Sequence, residues 1–255
     1  MSDLVDTVRD DIGSASAEAV FCAIAQDCIS DLDRYLAEFM ESASPDGPHK
    51  TRVALRRLTT ALDAFHPLMR KTEVKALRSK AKKIFRRLGL VRDADVYHQT
   101  KSGPDSPATP EIAVLRDAVR DALRKRQALA FGPLMLRKLT DGTLLRAGAL
   151  GHRLRAAPAS ELANAAMDRA FSAASSHGKT LTRMDDLARH EFRKDLKSLR
   201  YLTDFFSAPQ SRPTVAADLA ALQDLLGTLN DLANARQREG KSQKTKSRRR
   251  GKATG

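Results

Sequence analysis

Two stretches of this chain share a pattern of residues suited to holding an anion. HKTRVALRR runs from His49 to Arg57, and HEFRKDLKSLRY runs from His190 to Tyr201. Each reads histidine, two residues, arginine, three residues, then a second basic residue. At about 100° per residue on a helix, His49, Arg52 and Arg56 fall on one line, with Arg57 at its edge. His190, Arg193, Lys197 and Arg200 form the second line, and Thr59 stands in the first copy where the second has Arg200. Both lines carry an acid fourteen residues past the histidine, Asp63 and Asp204. Such an acid can hold an arginine in a fixed rotamer through a charge-assisted hydrogen bond; the alternative is an ordinary surface ion pair. Rows of cations this close repel one another until an anion fills the site, and arginine's planar fork suits phosphate oxygens in particular. A single basic stripe is ordinarily a solvated face; two in register call for a shared purpose.

The elements that carry the stripes read as helices with a core seam beside each stripe. Leu55, Leu58, Leu62, Phe65 and Met69 make the first seam, and Phe192, Leu196, Leu199 and Phe206 the second. A third helix adds Lys75, Arg78, Lys82 and Arg86 on one face, beside a seam of Val74, Leu77, Ala81, Ile84 and Leu88. Lys80, Lys83 and Arg87 lie on another side and read as solvated. The apolar periodicity predicts helices over about 17–41, 49–68, 72–88, 111–130, 133–148, 160–176 and 214–237, with one more carrying His190. Gly89 is expected to end the third helix, and Thr182 with Asp185 to form a capping box for the helix of His190. LGLVRD at 88–93 matches LGTLND at 226–231, which places Asp93 and Asp231 at similar distances behind the two histidines. Two related helical halves, about 14–130 and 133–237, are the economical organisation, after a flexible 1–13 and before a disordered basic tail at 238–255.

Composition agrees with an all-α chain. Of 255 residues only 5% are aromatic and none is tryptophan, so the core must be built from Leu, Ala, Val and Ile. The net charge is +14, distributed unevenly: −9 over residues 1–47, +10 over 48–100 and +8 over 236–255. A basic face beside an acidic one points to a polyanionic partner. The two cysteines, Cys22 and Cys28, form no metal or redox motif and read as buried free thiols. No apolar run suggests a signal peptide or a membrane span, so the expected location is cytoplasmic.

HKTRVALRRL followed by LGLVRDADV, then HEFRKDLKSLRYLTDFF followed by LQDLLGTLNDLAN, resembles the CHAD family of histidine-containing all-helical domains, over roughly residues 14–237. The resemblance implies two pseudo-symmetric antiparallel helical bundles around a basic central groove, and binding of inorganic polyphosphate there. Carried over by motif, the binding residues are His49, Arg52, Arg56 and Arg57 in the first half and His190, Arg193, Lys197 and Arg200 in the second. Arg78, Lys82, Arg86 and Arg92 are secondary candidates, and Asp63, Asp204, Asp93 and Asp231 are positioning acids. Two departures bear on affinity: Thr59 where the family motif usually continues with arginine, and Asn230 where the first half has Arg92. No alternating Glu-x-Glu-x-Lys strand of a triphosphate-tunnel domain is present, so triphosphate chemistry is not inherited. The expectation is a stand-alone, non-catalytic module that needs no cofactor and associates with polyphosphate or polyhydroxyalkanoate granules; the residues leave its oligomeric state open.

Three other readings compete. The six histidines form no His-x-x-x-His pair and no cluster with cysteine, which leaves a metal site without support. Asp93 and Asp95 suggest Mg²⁺ only weakly; pairing of Asp93 to an arginine is the stronger reading. A phosphate-handling enzyme built on the two histidines lacks a Gly-rich loop, a nucleophile order or an acid cluster. Nucleic-acid binding gains a weak contact through Arg248, Arg249 and Arg250 of the tail, but lacks a recognised motif and stacking aromatics.

Overall fold

A computed structural model describes residues 14–103, 106–177 and 184–206 of the chain. Among these residues there are eight α-helices, two short 3₁₀ turns and no strand. The chain divides into two compact units, residues 1–164 and 165–255.

The first unit is built on α1 (Ala17–Glu41), α2 (Asp46–Ala64) and α3 (Lys71–Ser102). Ser16 caps α1 by accepting from the Ala19 N–H at 3.2 Å, one of the donors a helix start leaves over. The buried stripe of α1, from Val20 through Ile24, Cys28, Leu32 and Leu36 to Phe39, meets the seam of α2, where Leu55, Leu58 and Leu62 are buried; Phe65 and Met69, beyond the end of α2, are buried as well. Gly47 lets the two helices close together, because a Cβ there would lie 2.9 Å from the Phe39 backbone. The turn between α2 and α3 is pinned by residues 144–146: Arg70 N–H donates to Leu144 O at 2.9 Å and Arg146 N–H to Leu68 O at 2.8 Å. Then follow α4 (Pro110–Lys125), α5 (Phe131–Thr140), α6 (Gly148–Ala156) and α7 (Ala159–Ser176).

Several boundaries differ from the sequence expectation. The third helix does not stop at Gly89 but continues to Ser102, 32 residues in all and about 48 Å long. Leu88, Gly89, Val91 and Asp95 are buried there, and that packing outweighs the roughly 1 kcal/mol that a mid-helix glycine costs. The segment 111–130 ends at Lys125, where Gln127 takes the left-handed conformation at φ 52° and a 3₁₀ turn covers Ala128–Ala130. Helix α5 stops at Thr140 rather than near 148. Asp141 accepts from both the N–H and the hydroxyl of Thr143, and Gly142 follows at φ 67°, so an Asx turn replaces the next helical turn. The short α6 escaped the periodicity because Gly148 and Gly151 dilute its pattern.

In the second unit α8 (Asp186–Phe206) carries the second stripe. Asp185 caps it, its carboxylate accepting from the Ala188 N–H at 2.7 Å. Phe192, Leu196 and Leu199 pack with Ala174 and Met184 as the seam requires. The last turn departs from it: Phe205 is fully buried, Tyr201, Leu202 and Thr203 are buried as well, and Phe206 is only half-buried. That end of α8 is covered on more than one side, so a single-face period cannot describe it. The expected helix over 214–237, Thr182, the segment 1–13 and the basic tail lie outside the described residues.

Candidate anion-binding site

The first stripe sits on α2 and faces α3. Arg52 and Arg56 both lie over the ring of Phe85, their guanidinium carbons 4.4 and 5.1 Å from its centre. Four residues on, Gly89 opens a slot for Arg52: a Cβ there would meet the Arg52 guanidinium nitrogen at 3.4 Å. One further turn along, the Asp93 carboxylate pairs with Arg52 at 3.8 Å. Phe85, Gly89 and Asp93 share one face of α3 because they are spaced by four. A half-buried arginine is thus held by a ring beneath, a glycine at its flank and an acid at its edge.

The electrostatics show which cations gather there. Burial pushes the Arg52 guanidinium down from its ordinary proton affinity, Asp93 holds it up, and the charges of Arg56 and Arg92 press it down again. Asp46, at the start of α2, is lowered first by its hydrogen bond to Lys50, then also by the charges of Lys50, His49 and Arg92. Arg52, Arg56 and Arg92 therefore form one cationic field, and His49 adjoins it beside Asp46. Asp93 and Asp46 border it without matching its charge. A guanidinium held by its face keeps its N–H donors at its edge, the arrangement a phosphate oxygen needs.

The other sequence candidates take separate places. Arg57 turns to α1, where Asp27 and Asp31 each accept from it at 3.2 Å; it fastens α2 to α1 rather than extending the stripe. Asp63 pairs with Arg78 of α3 instead of a stripe arginine, and burial lowers the proton affinity of Arg78. Lys82 and Arg86 are exposed on the same helix. Asp95 is buried and takes two hydrogen bonds from Arg116 of α4, at 2.8 and 2.9 Å, so this acid is a structural clamp. On α8, His190 is exposed while Arg193, Lys197 and Arg200 are half-buried, and Arg200 lies 5.4 Å from the ring centre of Tyr201. Asp204 is half-buried at the end of α8, and Asp231 lies outside the described residues.

Two features escaped the sequence reading. Phe85 is the platform of the first stripe, and its signal was its spacing of four before Gly89. His177, at the end of α7, bonds Asp195 at 2.9 Å and packs on Phe192 with ring centres 5.2 Å apart. Nothing in its local sequence marks it, because its partner comes eighteen residues later. Of the two cysteines only Cys28 is buried; Cys22 is half-buried, and burial, then Glu18, raises its thiol above the ordinary range. Among the described residues no three His, Cys, Asp or Glu side chains gather as metal ligands, and no helix is long and apolar enough to cross a membrane.

Comparison with known proteins gives a family and a fold. The model of the CHAD domain family matches residues 23–238. The crystal structure of the CHAD domain from the plant Ricinus communis is similar at a TM-score of 0.68 and 24% identity, over 91% of this chain and 81% of that one. No protein with a curated description matches the chain.

Proposed function

The chain belongs to the CHAD domain family, and on that premise we propose that it binds inorganic polyphosphate through its two basic stripes without acting on it chemically. The observation that carries this reading is the pair Arg52 and Arg56 stacked on Phe85, with Arg92 in the same field. Mutual repulsion in such a cluster is relieved by a ligand that brings several negative charges in a row. The residues proposed to hold it are His49, Arg52, Arg56 and Arg92 in the first unit and His190, Arg193, Lys197 and Arg200 in the second. Arg57 is left out because Asp27 and Asp31 already hold it. The Phe85 face is taken by guanidinium groups, which argues against base stacking and so against single-stranded nucleic acid.

The test replaces Arg52, Arg56, Arg193 and Lys197 with Ala and titrates polyphosphate by calorimetry. A hydrogen bond to a charged group contributes about 1.5–3 kcal/mol, so each stripe should account for at least about a tenfold change in affinity. Unchanged affinity in a variant with native circular dichroism would refute the stripe assignment. Tighter binding of duplex DNA than of polyphosphate would favour the nucleic-acid reading. Steady release of phosphate that co-purifies with the protein would overturn the non-catalytic one.

A further inference from the structure

A cavity of about 610 Å³ lies in the first unit between α3, the end of α4 and the start of α5. Its volume falls within the range of small-molecule sites, about 300–1,000 Å³. Four cations line it: Lys80 and Lys83 from α3, Arg126 from the turn after α4, and Arg137 from α5. No acid lines it. Among the described residues Lys80, Lys83 and Arg126 form no ion pair, whereas Arg137 also feels Asp141. Behind the cations the wall is apolar, with Leu123, Phe131 and Ile84 buried and Leu134 half-buried. The turn that closes it contains Gln127, whose left-handed backbone at φ 52° costs roughly 1–2 kcal/mol relative to the ordinary helical region. Strain of this kind often persists at sites that bind.

This cavity is separate from the stripe. By helical rotation Lys80 and Lys83 lie on the flank of the α3 seam opposite Phe85 and Gly89. A bare polyphosphate chain has no use for its apolar wall, and a neutral apolar molecule has no use for its cations. We propose that the cavity binds a phosphate monoester with an apolar alkyl or aryl body. The head meets Lys83 and Arg126, whose fork suits phosphate oxygens, and the body lies against Leu123, Phe131 and Leu134. This proposal stands apart from polyphosphate binding and does not depend on it.

Octyl phosphate, titrated calorimetrically into the full chain below its micelle-forming concentration, tests the assignment. It should bind one site, with inorganic phosphate and octanol each weaker by at least about tenfold, a difference of about 1.4 kcal/mol. Joint replacement Lys83→Ala and Arg126→Ala should weaken it by a similar factor. Ala130→Trp, at an exposed lining position, should obstruct the space and weaken binding by at least the same factor in a folded protein. Arg52→Ala with Arg56→Ala should leave octyl phosphate binding intact. The proposal is overturned if octyl phosphate shows no saturable binding, if inorganic phosphate binds equally well, or if binding survives both cavity variants. Loss of binding in the Arg52 and Arg56 variant would place the ligand on the stripe and overturn it as well.

Discussion

Arg52 shows what the chain spends to ready one side chain for an anion. Its guanidinium rests on Phe85, touches the space left by Gly89 and reaches Asp93 at 3.8 Å. Gly89 is the revealing member, since glycine in a helix interior costs roughly 1 kcal/mol against alanine. An alanine Cβ would stand 3.4 Å from the guanidinium nitrogen, close but tolerable. Gly89→Ala should therefore raise stability by up to about 1 kcal/mol in urea unfolding while weakening polyphosphate binding, because a methyl group then covers a donor edge. Unchanged affinity would make the glycine a matter of helix packing alone. Phe85→Leu keeps apolar volume and removes the ring face from two arginines. At about 0.5–1 kcal/mol for each cation–π contact, it should cost about 1–2 kcal/mol of stability. It should also weaken polyphosphate severalfold, since both guanidinium groups lose their fixed orientation.

At the scale of elements, Arg57, a ligand candidate in the sequence, is a fastener, and so are two arginines of α4. Arg116 donates to Asp95 and to Ser44 O at 3.0 Å; Arg120 donates to Phe39 O at 2.9 Å and Ser42 O at 2.6 Å. Together they bring two cations of α4 to the C-terminal end of α1, where unpaired carbonyls and the helix dipole favour positive charge. Arg116 and Asp95 are only 3% and 5% exposed in their side chains, so removing one strands the other. Asp95→Ala should destabilise the protein by about 3–5 kcal/mol in denaturant unfolding, and replacing both with Leu and Met should recover most of that loss. A loss under 1 kcal/mol from the single change would mean that water reaches the pair. This is also where the sequence became hard to read. The seams of α2 and α3 were legible because burial on one face repeats every 3.6 residues. The partners of Arg57 and Asp95 were not, because those partners lie 21 to 30 residues away in the chain. Adjacent arginines illustrate the limit. Arg56 and Arg57 differ by a single 100° step, yet one stacks in the cationic field and the other is neutralised by α1. The continuation of α3 past Gly89 was equally hidden, since the packing that overrides the glycine is tertiary.

For the molecule as a whole the question is whether polyanion binding follows from the net charge of +14 or from where the charge sits. Both would give salt-dependent affinity, so salt dependence alone does not separate them. Two fourfold variants do. One removes Arg52, Arg56, Arg193 and Lys197. The other removes Arg34, Lys50, Arg124 and Lys194, each already paired with a neighbouring acid one helical turn away. Each set lowers the net charge by the same amount, from +14 to +10 (14 − 4). A general field would respond equally to both. If the stripes are the site, counterions are released only where phosphates meet stripe cations. At about 0.7 per contact on a flexible single chain, the first variant should lose about 3 units of the slope of log K against log salt concentration. The second should keep the slope and lose affinity only modestly, through the weaker long-range field, which 0.15 M salt screens beyond about 8 Å. Equal changes in the two variants would mean that the pattern beginning at His49 and repeated at His190 is part of a diffuse charged surface. A slope that falls in the first variant alone would tie binding to the two stripes, the first of which rests on Phe85.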